Sequence, residues 1–193
     1  MGDPEMTSRS VYSIGASDGL WVGLLMGICT ICMIMSANYP VLSLPGLAIF
    51  IATPFVVWVF LRRGWVTGAV PATFSAVWLH GICIFLFGAL IMALIMYVTL
   101  KYLSPNWIEN QTLLAVNQLS MDTNTLEEAH VLRRIVESGQ LPSAIYTAIS
   151  SIWLVTFTGS MMSMIFAFIL TKTARYNKLR ANYIANQTMT NGR

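Results

Sequence analysis

The chain has 193 residues, of which 56% are hydrophobic and 10% are charged, with a formal net charge of +3. A soluble domain carries about 25% charged residues, so this composition argues against a soluble fold. The small net charge argues against nucleic acid as a partner. Three stretches contain no Asp, Glu, Lys or Arg: Gly19–Leu61, Gly64–Leu100 and Leu141–Thr171. One membrane crossing needs roughly 20 apolar residues. The chain is therefore predicted to be an all-α integral membrane protein, a bundle of four transmembrane helices.

Turn residues and charges set the boundaries of the predicted elements. The first charge-free stretch is divided at Asn38-Tyr39-Pro40, where a tight turn is expected. Pro54 falls inside the second span and is expected to kink it. An N-terminal segment, residues 1–17, precedes the bundle, and a basic tail, residues 172–193, follows it. The predicted spans cover about 18–37, 44–61, 72–100 and 143–171.

The largest polar segment, residues 101–142, lies between the third and fourth spans. Ser104-Pro105 has the form of a helix start. Thr125 and Glu128 have the spacing of a capping box that opens a second helix. A helical hairpin is therefore expected here, either capping the mouth of the bundle or lying on the membrane surface.

The distribution of basic residues predicts the orientation. If both termini and the connector after Arg63 share one side, that side holds eight Lys and Arg residues and the other side holds three. Short loops rich in Lys and Arg stay in the cytoplasm. A multi-pass protein of the bacterial inner membrane is predicted, with both termini cytoplasmic and the helical loop outside.

A glycine-zipper pattern is the sharpest motif of the first span. Its members, four residues apart, are Gly15, Gly19, Gly23 and Gly27. Residues at this spacing share one helix face, and a face without side chains lets another helix approach closely in lipid. The fourth helix, with Gly159 and Ser163, is one candidate partner, and Gly81 and Gly88 suggest close packing of the third. Packing inside the bundle is the first interpretation, and a homodimer or partner subunit is the alternative.

Two ionisable residues, His80 and Asp18, form a candidate intramembrane polar site. They could relay protons together, or His80 could use a neighbouring hydroxyl such as Ser75. The preferred interpretation is a neutral His80 bonded to a backbone carbonyl of another helix. Asp18 would then sit at the positive N-terminal end of its own helix.

The sequence indicates no catalytic residues, no metal site and no cofactor. Cys29, Cys32 and Cys83 lie in apolar runs and are interpreted as small core residues. No P-loop or nucleophile motif is present. We accordingly expect no pocket in which two or more polar side chains converge, as an enzyme would require.

A basic collar is expected to contact lipid headgroups, to which each cation contributes about 1 kcal/mol of attraction. Docking of an anionic substrate or of a cytoplasmic enzyme is the alternative. The collar consists of Arg62, Arg63, Lys172, Arg175, Lys178 and Arg180.

The layout also resembles a known family over about residues 14–175. The matching parts are the glycine-rich first helix, the second helix ending in Phe60-Leu61-Arg62-Arg63, the connector from Gly64 to Phe74, the segment Tyr102 to Ile108, and the Gly- and Phe-rich run from Phe157 to Phe168. In this layout the chain resembles the Bacteroidota domain-of-unknown-function family 4199. The resemblance implies a small inner-membrane protein with no assigned activity, often encoded beside a glycosyltransferase that resembles polyprenyl-phosphate sugar synthases.

The leading functional expectation is a non-enzymatic membrane scaffold or accessory subunit that supports envelope glycolipid or polyprenyl-phosphate sugar metabolism. Its expected partners are membrane lipids and either a second copy or a membrane or cytoplasmic protein such as a glycosyltransferase. The alternative is a small transporter, channel or lipid carrier that uses the bundle interior. A polar or wet cavity reaching His80 would favour that alternative.

Overall fold

The computed structural model describes the backbone of residues 4–66, 70–71, 73–121 and 126–191, and the side chains of residues 11–66, 70–71, 73–121 and 126–173. Every regular element in these ranges is helical. A 3-10 turn lies at Pro40–Leu42, and a π-helical turn lies at Thr99–Leu103. The α-helices are α1 (Pro4–Met35), α2 (Ser43–Val66), α3 (Phe74–Val98), α4 (Trp107–Leu119), α5 (Leu126–Glu137) and α6 (Ala144–Asn191).

Four helical stretches of the described chain are long and apolar enough to cross a membrane. The prediction of an all-α protein with four spanning helices is therefore confirmed. Two helices continue past their apolar spans: α1 begins at Pro4, and α6 runs on to Asn191. The stretches are Val11–Met35, Pro40–Val66, Phe74–Leu103 and Ala144–Thr173.

The outer surface of the bundle is suited to hydrocarbon. Trp153 and Phe50 expose 73% and 67% of their surfaces, and many other large apolar side chains point outward. A helix of a soluble protein keeps a polar stripe for water. Since these spans are apolar on all sides, lipid tails must supply the contacts that water cannot.

The four spanning helices form an open arc rather than a closed ring. α2 packs on α1, α1 packs along α3, and α3 packs along α6, whereas the backbones of α2 and α6 come close at few points. Where α2 does meet α6, the rings of Trp58 and Phe166 make an edge-to-face contact at 5.4 Å between centroids. The core lies along α1, α2, α3 and α6 and includes Val22, Val57 and Ile84.

The bundle has two distinct ends. The end that carries α4 and α5 is called the loop end, and the end that carries Arg62, Arg63 and Lys172 is called the basic end. α4 and α5 pack against each other as a helical hairpin. Gly139 follows α5 with a φ of 66°, a left-handed conformation that favours glycine after a helix.

Candidate functional site

The glycine face of α1 is covered by α3. A Cβ atom on Gly19 would lie 2.8 Å from the carbonyl oxygen of Ile84, and one on Gly23 would lie 2.7 Å from that of Gly88. Cβ atoms do not approach backbone atoms so closely, so the two backbones meet directly only because side chains are missing. The partner of this face is α3 and not the fourth spanning helix, and the face is closed to a second copy. Gly15 and Gly27 also contact α3, at Cys83 and Ile95.

Small residues also bring α6 against α3. Gly81 contacts the side chain of Ser163, and Gly159 contacts the ring of Phe85. Trp78 then ties the helices together, because its Nε1 donates a hydrogen bond of 3.2 Å to the backbone carbonyl of Ser160. The three helices α1, α3 and α6 consequently form the tightly packed part of the bundle.

The close approach of α1 and α3 brings Asp18 against His80. Nε2 of His80 lies 3.3 Å from Oδ2 of Asp18, and the imidazole has no exposed surface. The direction of this contact is not that of a hydrogen bond, and within the described chain both ring nitrogens lack hydrogen-bond partners. The pair is ionic when the imidazole carries a proton.

Two sequence-based interpretations of these residues are wrong. His80 does not bond a backbone carbonyl of another helix within the described structure. Asp18 does not open its helix, because α1 begins at Pro4 and Asp18 lies well inside it. The charge-free stretch begins at Gly19, but a helix continues through polar residues, so the first apolar residue does not mark its start.

A cavity of about 450 Å³ adjoins this pair at the basic end, between α1 and α2. Its polar lining comes from Ser17, Asp18 and Arg63, so the prediction that no polar side chains converge in one pocket is wrong. Gly64 separates the cavity from His80: a Cβ there would lie 3.7 Å from Nε2. The last turn of α2 brings Arg63 into the lining of the same cavity as Asp18. Sequence spacing does not reveal this tertiary arrangement. The remaining lining residues are Ile14, Trp21 and Phe60.

Two other members of the basic collar, Arg62 and Lys172, do not line this cavity. Arg62 is exposed and is not among its lining residues. Lys172 is exposed, with its Nζ 4.6 Å from the centroid of the Phe168 ring, a cation–π distance. The side chains of Arg175, Lys178 and Arg180 lie outside the described residues.

A second cavity, of about 530 Å³, occupies the half of the bundle nearer the loop end. It is partly open and almost wholly apolar, and it lies where α2 and α6 part from each other. Met26, Met33, Met92, Met96 and Met162 all line it. The sequence analysis did not find this cavity, and the twelve methionines of the chain are the one signal that could have suggested an adaptable interior.

The two ends of this apolar cavity have different surroundings. Towards the basic end, the ring pair of Trp58 and Phe166 joins α2 to α6. At the loop end, Trp107 at the start of α4 contributes to the lining. The Nε1 atom of Trp107 is buried without a hydrogen-bond partner in the described chain. A buried indole N–H usually has an acceptor, and this one has none among the described residues.

The cysteines contribute packing rather than a metal site in the described structure. Sγ of Cys29 donates to the carbonyl oxygen of Gly46 at 3.2 Å, which ties α1 to α2. Cys83 is buried against Gly15. In the part of the chain that the structure describes, no group of three or more His, Cys, Asp or Glu side chains could hold a metal ion.

Comparison with known proteins assigns the chain to a family. The model of the family described as Protein of unknown function (DUF4199) matches residues 17–172. The match covers most of the chain, which therefore belongs to this family. No curated protein and no solved structure matches the chain.

Proposed function

We propose that this member of the DUF4199 family is a non-enzymatic accessory protein that holds the hydrocarbon chain of a membrane lipid between α2 and α6. The observation that carries the proposal is the partly open apolar cavity of about 530 Å³ at the loop end. Cavities that bind small molecules measure about 300–1,000 Å³ and are mainly apolar.

The lining favours a flexible hydrocarbon over a polar ligand. Among the described residues, no Asp, Glu, Lys or Arg lines this cavity. Its polar side chains are mostly hydroxyls, and that of Thr53, for example, donates to the Ile49 carbonyl of its own helix. Methionines follow irregular shapes because their side chains are unbranched and flexible. A kinked, unsaturated or methyl-branched chain suits such walls.

The packing of the bundle offers a lateral route for the chain. The backbones of α2 and α6 come close at few points, so a lipid tail can enter from the bilayer without separating α1 from α3. The ring pair of Trp58 and Phe166 limits how far the tail reaches towards the basic end. Near the other limit, Trp107 lines the cavity, next to where the head of the lipid would lie.

The membrane context of the proposal comes from charge. Arg62, Arg63 and Lys172 support a cytoplasmic basic end, and with that orientation the proposal assigns the lipid to the outer leaflet of a bacterial inner membrane. Envelope glycolipids and polyprenyl-phosphate sugars have chains of the required class. The long α6, which continues past the span to Asn191, supports docking of a cytoplasmic partner such as a glycosyltransferase.

Filling the cavity tests the proposal. Ser151 lines it, whereas Ser150 is exposed and does not. Each hydroxyl donates to the carbonyl three residues earlier in its helix. The variants Ser151→Phe and Ser150→Phe therefore lose the same kind of bond and differ chiefly in where the ring goes.

Both variants and the unaltered protein would be purified in a mild detergent, and retained lipid would be counted by native mass spectrometry. Ser151→Phe should lower lipid occupancy by about tenfold, which corresponds to about 1.4 kcal/mol of binding free energy. Ser150→Phe should keep the occupancy of the unaltered protein. Equal retention by a folded Ser151→Phe variant would refute the proposal.

A further inference from the structure

We propose that the cavity at the basic end binds a zwitterionic headgroup in which an amine and a phosphate ester are joined, as in phosphoethanolamine. Asp18 would accept hydrogen bonds from the ammonium group, and Arg63 would donate to the phosphate. Both residues line this one cavity of about 450 Å³. The inference does not depend on the apolar cavity at the loop end.

Two different helices contribute residues of opposite charge to the lining of the cavity. Asp18 belongs to α1, and Arg63 belongs to the last turn of α2. An arginine guanidinium matches a phosphate group with paired hydrogen bonds. A carboxylate attracts an ammonium group and repels a second anion. The combination thus selects a ligand that carries both charges.

His80 positions the carboxylate from behind. Its Nε2 lies 3.3 Å from Oδ2 of Asp18, and the ring is completely buried. The side chain of Asp18 remains 18% exposed, so a ligand can reach it while the imidazole packs against its other side. Burying a charge in a membrane is costly unless the charge has partners. The cavity lets the ligand serve as the second partner of Asp18.

The level of the cavity in the membrane suits a headgroup. Asp18 directly precedes the charge-free stretch Gly19–Leu61, and Arg63 follows it by two residues. Both residues therefore stand where the apolar parts of α1 and α2 end on the basic side. Trp21, which also lines the cavity, is 62% exposed, as is usual for a tryptophan at the membrane interface.

The two cavities are too far apart to share one headgroup. Asp18 in the first and Thr30 in the second are twelve residues apart on α1, about 18 Å along the helix. The cavities lie towards opposite ends of the bundle. A lipid bound at the basic end therefore belongs to the other leaflet.

Competition between lipids tests the inference. The purified protein would be mixed with equal amounts of phosphatidylethanolamine and phosphatidylglycerol, and bound lipids would be identified by native mass spectrometry. The unaltered protein should retain phosphatidylethanolamine at least about fivefold over phosphatidylglycerol, equivalent to about 1 kcal/mol. Asp18→Asn should reduce this preference to near unity, because the neutral amide no longer selects the ammonium group.

Charge variants outside the cavity are the controls. Arg63→Gln should weaken the binding of both lipids by more than Arg62→Gln does, because Arg62 lies next to it but outside the lining. Glu109→Gln on α4 removes one negative charge, as Asp18→Asn does, but at the loop end. It should leave the preference unchanged. Ser151→Phe should also leave it unchanged, which separates this test from that of the proposed function.

Two results would overturn the inference: phosphatidylglycerol binding as well as phosphatidylethanolamine, or an Asp18→Asn variant that keeps the full preference. Free O-phosphoethanolamine in the same mixture tests the source of the headgroup. Displacement of the bound phosphatidylethanolamine by this compound would support the amine and phosphate chemistry and indicate a soluble ligand. Retention of the lipid, together with the preference, would support a bilayer headgroup.

Discussion

The contact between Gly23 of α1 and Gly88 of α3 gives the sharpest test of how the bundle is held together. In a Gly23→Ala variant, the new methyl group would lie 2.7 Å from the carbonyl oxygen of Gly88 and 2.9 Å from its Cα. These are backbone atoms, so no side-chain rotation relieves the clash. α1 and α3 must separate instead.

The size of the effect follows from the distances. Ordinary contact begins at 3.4 Å, so the carbonyl oxygen of Gly88 must move by about 0.7 Å. A gap of 0.5–1 Å removes roughly a quarter to a half of the dispersion energy of each contact that it opens. Overpacking of this kind costs about 1–3 kcal/mol. We expect Gly23→Ala to lower the free energy of unfolding by this amount.

Two other glycine-to-alanine substitutions provide a comparison for the loss of stability in Gly23→Ala. In Gly88→Ala the nearest atom is the carbonyl oxygen of Gly19 at 3.2 Å, so a smaller shift suffices. In Gly46→Ala the nearest atom is Sδ of Met33 at 3.0 Å, the mobile part of a flexible side chain. All three changes gain the same helix propensity. The loss of stability should therefore decrease in the order Gly23→Ala, Gly88→Ala, Gly46→Ala.

Reversible unfolding in mixed micelles, with the denaturing detergent fraction increased stepwise and helicity followed by circular dichroism, measures these differences. Tryptophan fluorescence provides a second probe of the same transition. A Gly23→Ala variant as stable as the unaltered protein would refute the direct backbone contact. Equal losses in Gly23→Ala and Gly46→Ala would show that the loss is not specific to the α1–α3 interface.

Two further predictions concern polar groups between the helices. Asp18→Asn and His80→Phe would be made singly and together, and the same unfolding assay should show a coupling energy of about 0.5–3 kcal/mol between them. If the two losses of unfolding free energy simply add, the side chains do not interact. Trp78→Phe removes the hydrogen bond to Ser160 and should lower the free energy of unfolding by about 0.5–1.5 kcal/mol. The control, Trp153→Phe on the exposed surface, should change it by less than about 0.5 kcal/mol. Equal effects of the two variants would exclude a stabilising role for the Trp78 hydrogen bond.

The spanning helices could be predicted because the signal is local. The absence of ionic side chains over a length of about 20 residues is a property of consecutive positions, and it predicted four spanning helices. The first residue of each helix was harder to predict from the sequence. α1 begins at Pro4 and not near Asp18, since backbone hydrogen bonds continue through polar residues. Thr73, whose side chain accepts from the backbone N–H of Ala76, caps α3 one residue after the predicted start.

The packing partners could not be predicted in the same way. The four-residue spacing of Gly19 and Gly23 identifies a face but not the helix that covers it. Several helices carry small residues, and α3 covers this face in the structure. Arg63 was assigned to a lipid-contacting collar, yet it lines the same cavity as Asp18, 45 residues away in the chain. Such convergence depends on the tertiary arrangement.

The apolar cavity is the part of the structure most remote from any sequence pattern, and its position follows from unequal packing. Glycine and serine bring α1, α3 and α6 into close contact, whereas α2 has only α1 as an extensive neighbour. Where α2 and α6 meet, the contact includes bulky rings, those of Trp58 and Phe166. A seam between two helices that share so few contacts costs little free energy to widen, while the α1–α3 interface resists separation because its backbones already touch. Entry of a lipid tail should therefore displace α2 and leave the other three spanning helices in place.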